Sequence, residues 1–321
     1  MSILFCALTA NDGYGASATN NTTADRYDST WNPSNVNIPD DRYWGFTVPT
    51  TKDFWMGFNY RFYDTAATIN ADGEFMQIFT DTGGRVVQLN CIDSAAVINT
   101  STNGTSWGTP KDNRFFDHFG LIRVDFHIQY DVAVSGLVVV HMYIDGTRRH
   151  TSSQTLSVTD SGIAGIRFMC WDLENGAAVS NIIVADEDTR GMVVSQMTPD
   201  GAGNYTAWTG TYTAMTGAGG GAGIESNVNG DRESWTLSAF PGASGAAGMR
   251  VVHQVWAYPG ATGVSQVDGF LRISSVDYDS GALAPTPGLP LVYRWDTNPA
   301  TSAPWDTTAL GLLEAGVEAV T

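Results

Sequence analysis

The sequence predicts an all-β protein: an antiparallel β-sandwich followed by a second β-rich domain. Three observations lead there. Apolar and polar residues alternate over short runs, the mark of strands with one buried and one wet face. Glycine, proline and asparagine punctuate those runs, as turns require. The chain has 35 glycines but only 15% charged residues, which suits short strands and tight turns better than helices. At 321 residues the chain is long enough for about two domains, each with a core of its own.

The elements follow in order. The opening MSILFCALTA is short and lacks a basic flank, so it reads as a first strand at 3–8 rather than a secretory leader. Further strands are expected at 43–47, 54–63, 75–80, 85–91, 120–130, 137–144, 148–155, 165–171 and 179–185. In the second of these, Phe54, Met56, Phe58, Tyr60 and Phe62 share one face, and Trp55, Gly57, Asn59 and Arg61 the other. Ile122, Val124, Phe126, Ile128 and Tyr130 likewise point inward, leaving Arg123, Asp125, His127 and Gln129 on a wet face. The run 137–144 is apolar on both faces, Leu137, Val139, His141 and Tyr143 against Val138, Val140, Met142 and Ile144. That pattern predicts a strand enclosed within the sandwich. Asp145-Gly146 then supplies the positive φ of a tight hairpin turn. Trp31, Trp44 and Trp55 are expected to fill the core.

An acidic cluster at 186–188 closes this series, giving domains 1–188 and 189–321. Residues 198–210 read as a linker or opening strand, and GAGGGAG at 217–223 as a flexible loop. Strands are expected at 234–238, 250–258, 267–273 and 289–295, with Pro285, Pro287 and Pro290 bracketing the loop before the last. From 303 to 320, Trp305, Leu310, Leu312, Leu313, Val317 and Val320 indicate a short helix or turn followed by a strand, which the pattern does not separate. Trp208, Trp235, Trp256 and Trp295 fill the second core or make subunit contacts.

Charge excludes a nucleic-acid partner. The formal net charge is −17, the only lysines are Lys52 and Lys111, and the sole basic doublet is Arg148-Arg149. Phosphate binding needs clustered cations. No apolar run is long enough for a spanning helix, so no membrane insertion is expected. Cys6, Cys91 and Cys170, odd in number and widely spaced, form neither a disulfide framework nor a zinc pattern. They read as small core residues of a chain made in a reducing cytoplasm.

FWMGFNYRF, FMQIFTDTGGRVVQLN, LIRVDFHIQYDVAVSGLVVVHMYIDGTRRH and GIRFMC together resemble the concanavalin A-like or laminin G-like jelly roll, over residues 1–188. Tyr143-Ile144-Asp145-Gly146 matches that family's recurrent hairpin. The fold hosts lectins, glycosidases and adhesion modules, so the resemblance implies no single activity. A second resemblance lies in SNIIVADEDTRGM at 180–192, WTG at 208–210 and NPATSAPWDTTALGLLEAGVEAV at 298–320. These look like segments of tailed-bacteriophage structural proteins, in which a lectin-like sandwich precedes a second β module. This implies a virion component of tail, baseplate or fibre, bound to other virion proteins as a homo-oligomer and contacting host-surface glycan.

Catalytic patterns are sparse. A glucanase of this fold carries Glu-x-Asp-x-x-Glu, which is missing among the seven glutamates. Its retaining chemistry needs two carboxyls about 5 Å apart. Asp72 with Glu74 and Asp172 with Glu174 fall at turns, and Asp186 with Asp188 at the exposed joint. His127 and His141 read as ordinary sheet residues. The glycine loop lacks a following lysine, and no Asp-x-Asp-x-Asp-Gly loop occurs, so no cofactor or metal is expected. A non-enzymatic protein follows, with a free carbohydrate-binding protein or glycoside hydrolase as the alternative. The loop 99–108 offers Trp107 beside Asn103 and Ser106 as a sugar platform. The competing reading tucks Trp107 against the sandwich edge.

Overall fold

The computed structural model describes residues 3–7, 19–21, 35–38, 42–62, 73–92, 95–100, 122–131, 136–155, 161–170, 177–214, 223–240, 248–258, 263–286 and 289–321. The chain is all-β and its sheets are antiparallel. It divides into two compact units, Met1–Val194 and Ser195–Thr321. Among the described residues no helix is long and apolar enough to cross a membrane.

The first unit contains β1 (Ile3–Ala7), β2 (Thr19–Asn21), β3 (Asn35–Ile38), β4 (Arg42–Thr51), β5 (Asp53–Phe62), β6 (Gly73–Thr80) and β7 (Arg85–Ile92). It continues with β8 (Ala95–Thr100), β9 (Ile122–Asp131), β10 (Leu137–Ile144), β11 (Thr147–Thr155), β12 (Ile163–Cys170) and β13 (Ala177–Ala185). One sheet runs β11-β10-β9-β5-β13-β3-β2, with β1 also on β13. The facing sheet runs β4-β12-β6-β7-β8. Alternation explains the packing between them. Phe58 of β5 meets Phe168 of β12 edge-on at 4.9 Å, and Tyr60 meets Phe75 of β6 at 5.1 Å. Trp44 and Phe46 join this core. Aromatic pairs in such geometry add to the area they bury.

The hairpin between β10 and β11 turns at Asp145 (φ 47°) and Gly146 (φ 75°), both left-handed as a two-residue hairpin requires. A register shift between Met142 and Tyr143 leaves Arg149 as the extra residue of a bulge. A second shift, between Ser180 and Ile183 of β13, accompanies a left-handed Asn181 (φ 52°).

Two expectations for these faces need correction. The face of β10 carrying Leu137, Val139 and His141 is half-exposed, so this strand is not enclosed on both sides. Conversely, Asn59, Arg123 and Asp125 are buried rather than wet. Trp55 is buried as expected, on the face it shares with them. Trp31 falls outside the described residues.

The second unit pairs a five-stranded sheet with a two-stranded one. The larger is ordered β14-β15-β20-β17-β18, from β14 (Pro199–Thr206), β15 (Arg232–Leu237), β17 (Gln266–Ile273), β18 (Val276–Leu283) and β20 (Leu313–Val320). The smaller joins β16 (Val251–Val255) to β19 (Leu291–Trp295). Trp235, Leu271, Tyr293, Trp295, Trp305 and Leu310 belong to its core. The Trp305 indole donates to the Trp295 carbonyl at 2.9 Å, satisfying a buried donor. Before β20 comes the one-turn helix α1 (Thr307–Leu310), capped by Asp306, whose carboxylate accepts from the Ala309 N–H at 2.8 Å.

Candidate functional site

The site is built on a buried ion pair. On the outer face of the larger sheet, Arg123 of β9 lies against Asp125 of the same strand, two residues along. Its Nη2 is 3.1 Å from Asp125 Oδ1, and that carboxylate is wholly buried. Such a pair survives burial only if its remaining hydrogen bonds are made. They are. Arg123 Nη1 donates to the Asn181 carbonyl at 2.9 Å and Nη2 to the Thr189 carbonyl at 3.2 Å. The Thr189 hydroxyl donates to Asp125 Oδ1 at 3.0 Å. Residues 189–194 therefore fasten to the first unit, beyond the acidic cluster. Asn181 completes the fastening, its Oδ1 accepting from the Val194 N–H at 2.5 Å.

Space for the pair comes from Gly57, opposite Asp125 on β5. A Cβ there would stand 1.8 Å from Arg123 Nη2 and 2.3 Å from Asp125 Oδ1. No side chain but hydrogen allows the guanidinium to lie across the strand.

Beside this pair, register aligns four strands into one row: Trp55 of β5, His127 of β9, His141 of β10 and Thr151 of β11. Trp55 and His127 stack with ring centroids 4.0 Å apart and planes 9° from parallel. His127 and His141 follow at 5.7 Å. His127 Nε2 is 2.7 Å from Asp53 Oδ1, and His141 Nδ1 is 2.9 Å from Thr151 Oγ1. Desolvation lowers the His141 pKa first, and the nearby charges of His127 and Arg148 lower it further. Burial and like charge both disfavour the imidazolium.

Arg190 roofs one end of the row. Its guanidinium lies 4.5 Å from the Tyr143 ring centroid and 5.7 Å from that of Trp55, within cation–π range. Asp188 holds it with Oδ2 2.5 Å from Nη2. That hydrogen bond from Arg190 is the main reason the Asp188 carboxyl titrates below its ordinary value. Asp188 thus orients Arg190. The exposed Gln129 faces Asp53 across the register.

The second unit holds a different polar cluster, on the face turned from its core. Arg232 contacts Asp277 at 2.7 Å and Asp279 at 3.3 Å, and its Nε donates to Glu318 at 2.6 Å. Arg272 and the Tyr205 hydroxyl also bind Asp277. An open cleft of about 370 Å³ adjoins it, lined by Asn204 to Ala207 and Gly230 to Arg232. Tyr205 and Arg232 of its lining engage these carboxylates, so the cluster ties β15, β18 and β20 together.

The loop residues Asn103, Ser106 and Trp107, with Asp72, Asp172 and Glu174, lie outside the described residues. Glu74 accepts from Gln77 Nε2 at 3.3 Å. Among the described residues, no three His, Cys, Asp or Glu side chains are placed to hold a metal ion. Sequence alternation marks His127 and Gln129 as outward, but says nothing of their neighbours across the sheet. Their company depends on strand register, which no single strand encodes.

No family model matches the chain, and no curated protein matches it. Among solved structures it is similar to a sialidase, at 9% identity and TM-score 0.34, over 47% of this chain and only 15% of the sialidase. It is similar to an endo-β-1,4-glucuronan lyase from the fungus Trichoderma reesei, at 10% identity and TM-score 0.36, over 57% of this chain and 91% of the lyase. A receptor-binding domain aligns over 90% of this chain and 73% of its own length, at 10% identity and TM-score 0.40. Values this low establish no common family or activity.

Proposed function

We propose that the protein is a non-enzymatic structural component of a phage virion whose first unit contacts host-surface glycan. The contact surface is the outer face of the larger sheet. One observation carries this reading: the four-strand row Trp55, His127, His141 and Thr151, flanked by Asp53, Gln129 and Arg190. Trp55 and His127 stack on each other, so the row offers polar ring edges, and these with the fixed donors and acceptors beside them suit the hydroxyls of a sugar. A sheet face also admits a polymer lengthwise, without a closed pocket. The virion assignment draws on the resemblance of 180–192, 208–210 and 298–320 to phage structural proteins. In it, the second unit serves attachment to other virion proteins as a homo-oligomer.

A second reading, a saccharide-cleaving enzyme, draws on the 2.7 Å contact of His127 with Asp53. A carboxylate-oriented imidazole can move a proton. Glycan-array binding and a reducing-end assay on the purified chain separate the two readings. Saturable binding without new ends, weakened about tenfold in His141→Ala, is the expected result. End release abolished in His127→Asn would overturn the non-enzymatic assignment. Light scattering should show a defined oligomer; a monomer at every concentration removes the assembly role.

A further inference from the structure

Cations are scarce in this chain, and the structure shows where they are engaged. Arg123 is bound to Asp125, Arg190 to Asp188, Arg232 and Arg272 to Asp277, and Arg250 and Arg294 to Asp296. Arg148 and Arg149 differ. Both are exposed on β11 and have no carboxylate partner among the described residues. Arg148 pairs in register with Tyr143, on the face that carries His141 and Thr151, and its charge reaches the His141 ring. Arg149 is the bulged residue beside it. The doublet thus ends the ring row on a cationic note, within a chain of net charge −17.

The acids on this face do not cancel it. Asp53 is bound to His127, Asp188 to Arg190, and Asp125 is sealed beneath with Arg123. Asp145, at the hairpin tip, accepts from the backbone Arg123 N–H at 3.2 Å, a neutral donor, so this exposed carboxylate offsets one of the two cations and leaves the other. Two guanidinium forks without a carboxylate ion pair among the described residues remain beside the ring row. A guanidinium matches the planar fork of a carboxylate, and the polar ring edges of the row can bond a sugar's hydroxyls.

We infer that this face takes an acidic saccharide, a chain whose sugar rings bear carboxylates, with Arg148 and Arg149 reading the carboxylate and His127, His141 and Thr151 of the row bonding the hydroxyls. The inference rests on the glycan-binding reading and adds the ligand's charge.

The test uses the full chain and three probes: trigalacturonate, its methyl ester and a neutral cello-oligosaccharide. Methyl esterification removes the charge and keeps the ring. Calorimetry at low salt should show the acid binding about tenfold or more tighter than the ester. Arg148→Gln with Arg149→Gln should erase that preference and flatten its salt dependence, whereas Arg294→Gln in the second unit should leave it intact. Equal binding of acid and ester, unaffected by the double variant, overturns the inference while glycan binding stands. Tighter binding of a sulfated dextran than of trigalacturonate overturns the choice of carboxylate. Binding to no saccharide overturns the glycan reading itself.

Discussion

Gly57 shows how much one hydrogen atom can decide. Its neighbours form the Arg123–Asp125 pair, and a methyl group there would overlap the guanidinium at 1.8 Å. Neither partner can retreat, because Thr189 and Asn181 hold both from above. Gly57→Ala should therefore break a buried pair and destabilise the first unit by about 3 kcal/mol or more. Gly146 makes the useful contrast. A Cβ there meets nothing, and only its φ of 75° resists substitution, so Gly146→Ala should cost about 1 kcal/mol. Urea unfolding followed by hydrogen exchange in β5 and β9 compares them; similar losses would mean that the sheet relaxes around an alanine. In the sequence, Gly57 and Asp125 look like outward residues of alternating strands. Alternation marks which face a side chain takes, not whether a later segment covers that face.

The covering segment belongs to an element, the bulged end of β13. The left-handed Asn181 lets its side chain reach forward to the Val194 N–H and the Met192 carbonyl. Asn181→Gly keeps the backbone conformation available and removes both bonds. Trypsin cleavage after Arg190 should then accelerate about tenfold, while β9 and β10 keep their hydrogen-exchange protection. Unchanged cleavage would show that the Thr189 contacts suffice alone. Strands with one apolar face, such as β5 and β9, are readable because core packing imposes period two. β18 is not: Val276–Leu283 lies at a sheet edge, largely exposed, and Asp277 and Asp279 serve the ionic cluster. β14, glycine-rich and paired with β15, alternates in exposure but carries too few apolar side chains for that period to show in the sequence. The ring row is illegible for another reason, since its four residues meet only through register.

At the scale of the whole molecule, acid should weaken the fold in separable steps. His253 of β16 packs edge-on against Trp235 at 5.9 Å and beside Tyr293. Its Nδ1 is sealed from water without a hydrogen bond. Burial alone depresses its pKa from 6.5 to about 4. The unfolded chain takes up this proton near 6.5, whereas the folded chain resists until about 4. Stability is therefore full above 6.5 and drains away as the pH falls toward 4. Between pH 7 and pH 5 the loss should be about 2 kcal/mol for this one group. The ion-paired carboxylates act lower. Asp277, although burial opposes it, is held below its ordinary 3.8 by Tyr205 and Arg272, and Asp188 by Arg190. Their share persists above 3.8 and vanishes only as the pH drops beneath it. His253→Met, which fills the ring's place without a titrating group, should remove the step between pH 7 and pH 5 and leave the one below pH 4. Hydrogen exchange in β15 to β20 across that range reads the second unit by itself. A variant that still weakens by the same amount between pH 7 and pH 5 would assign the step to some other group.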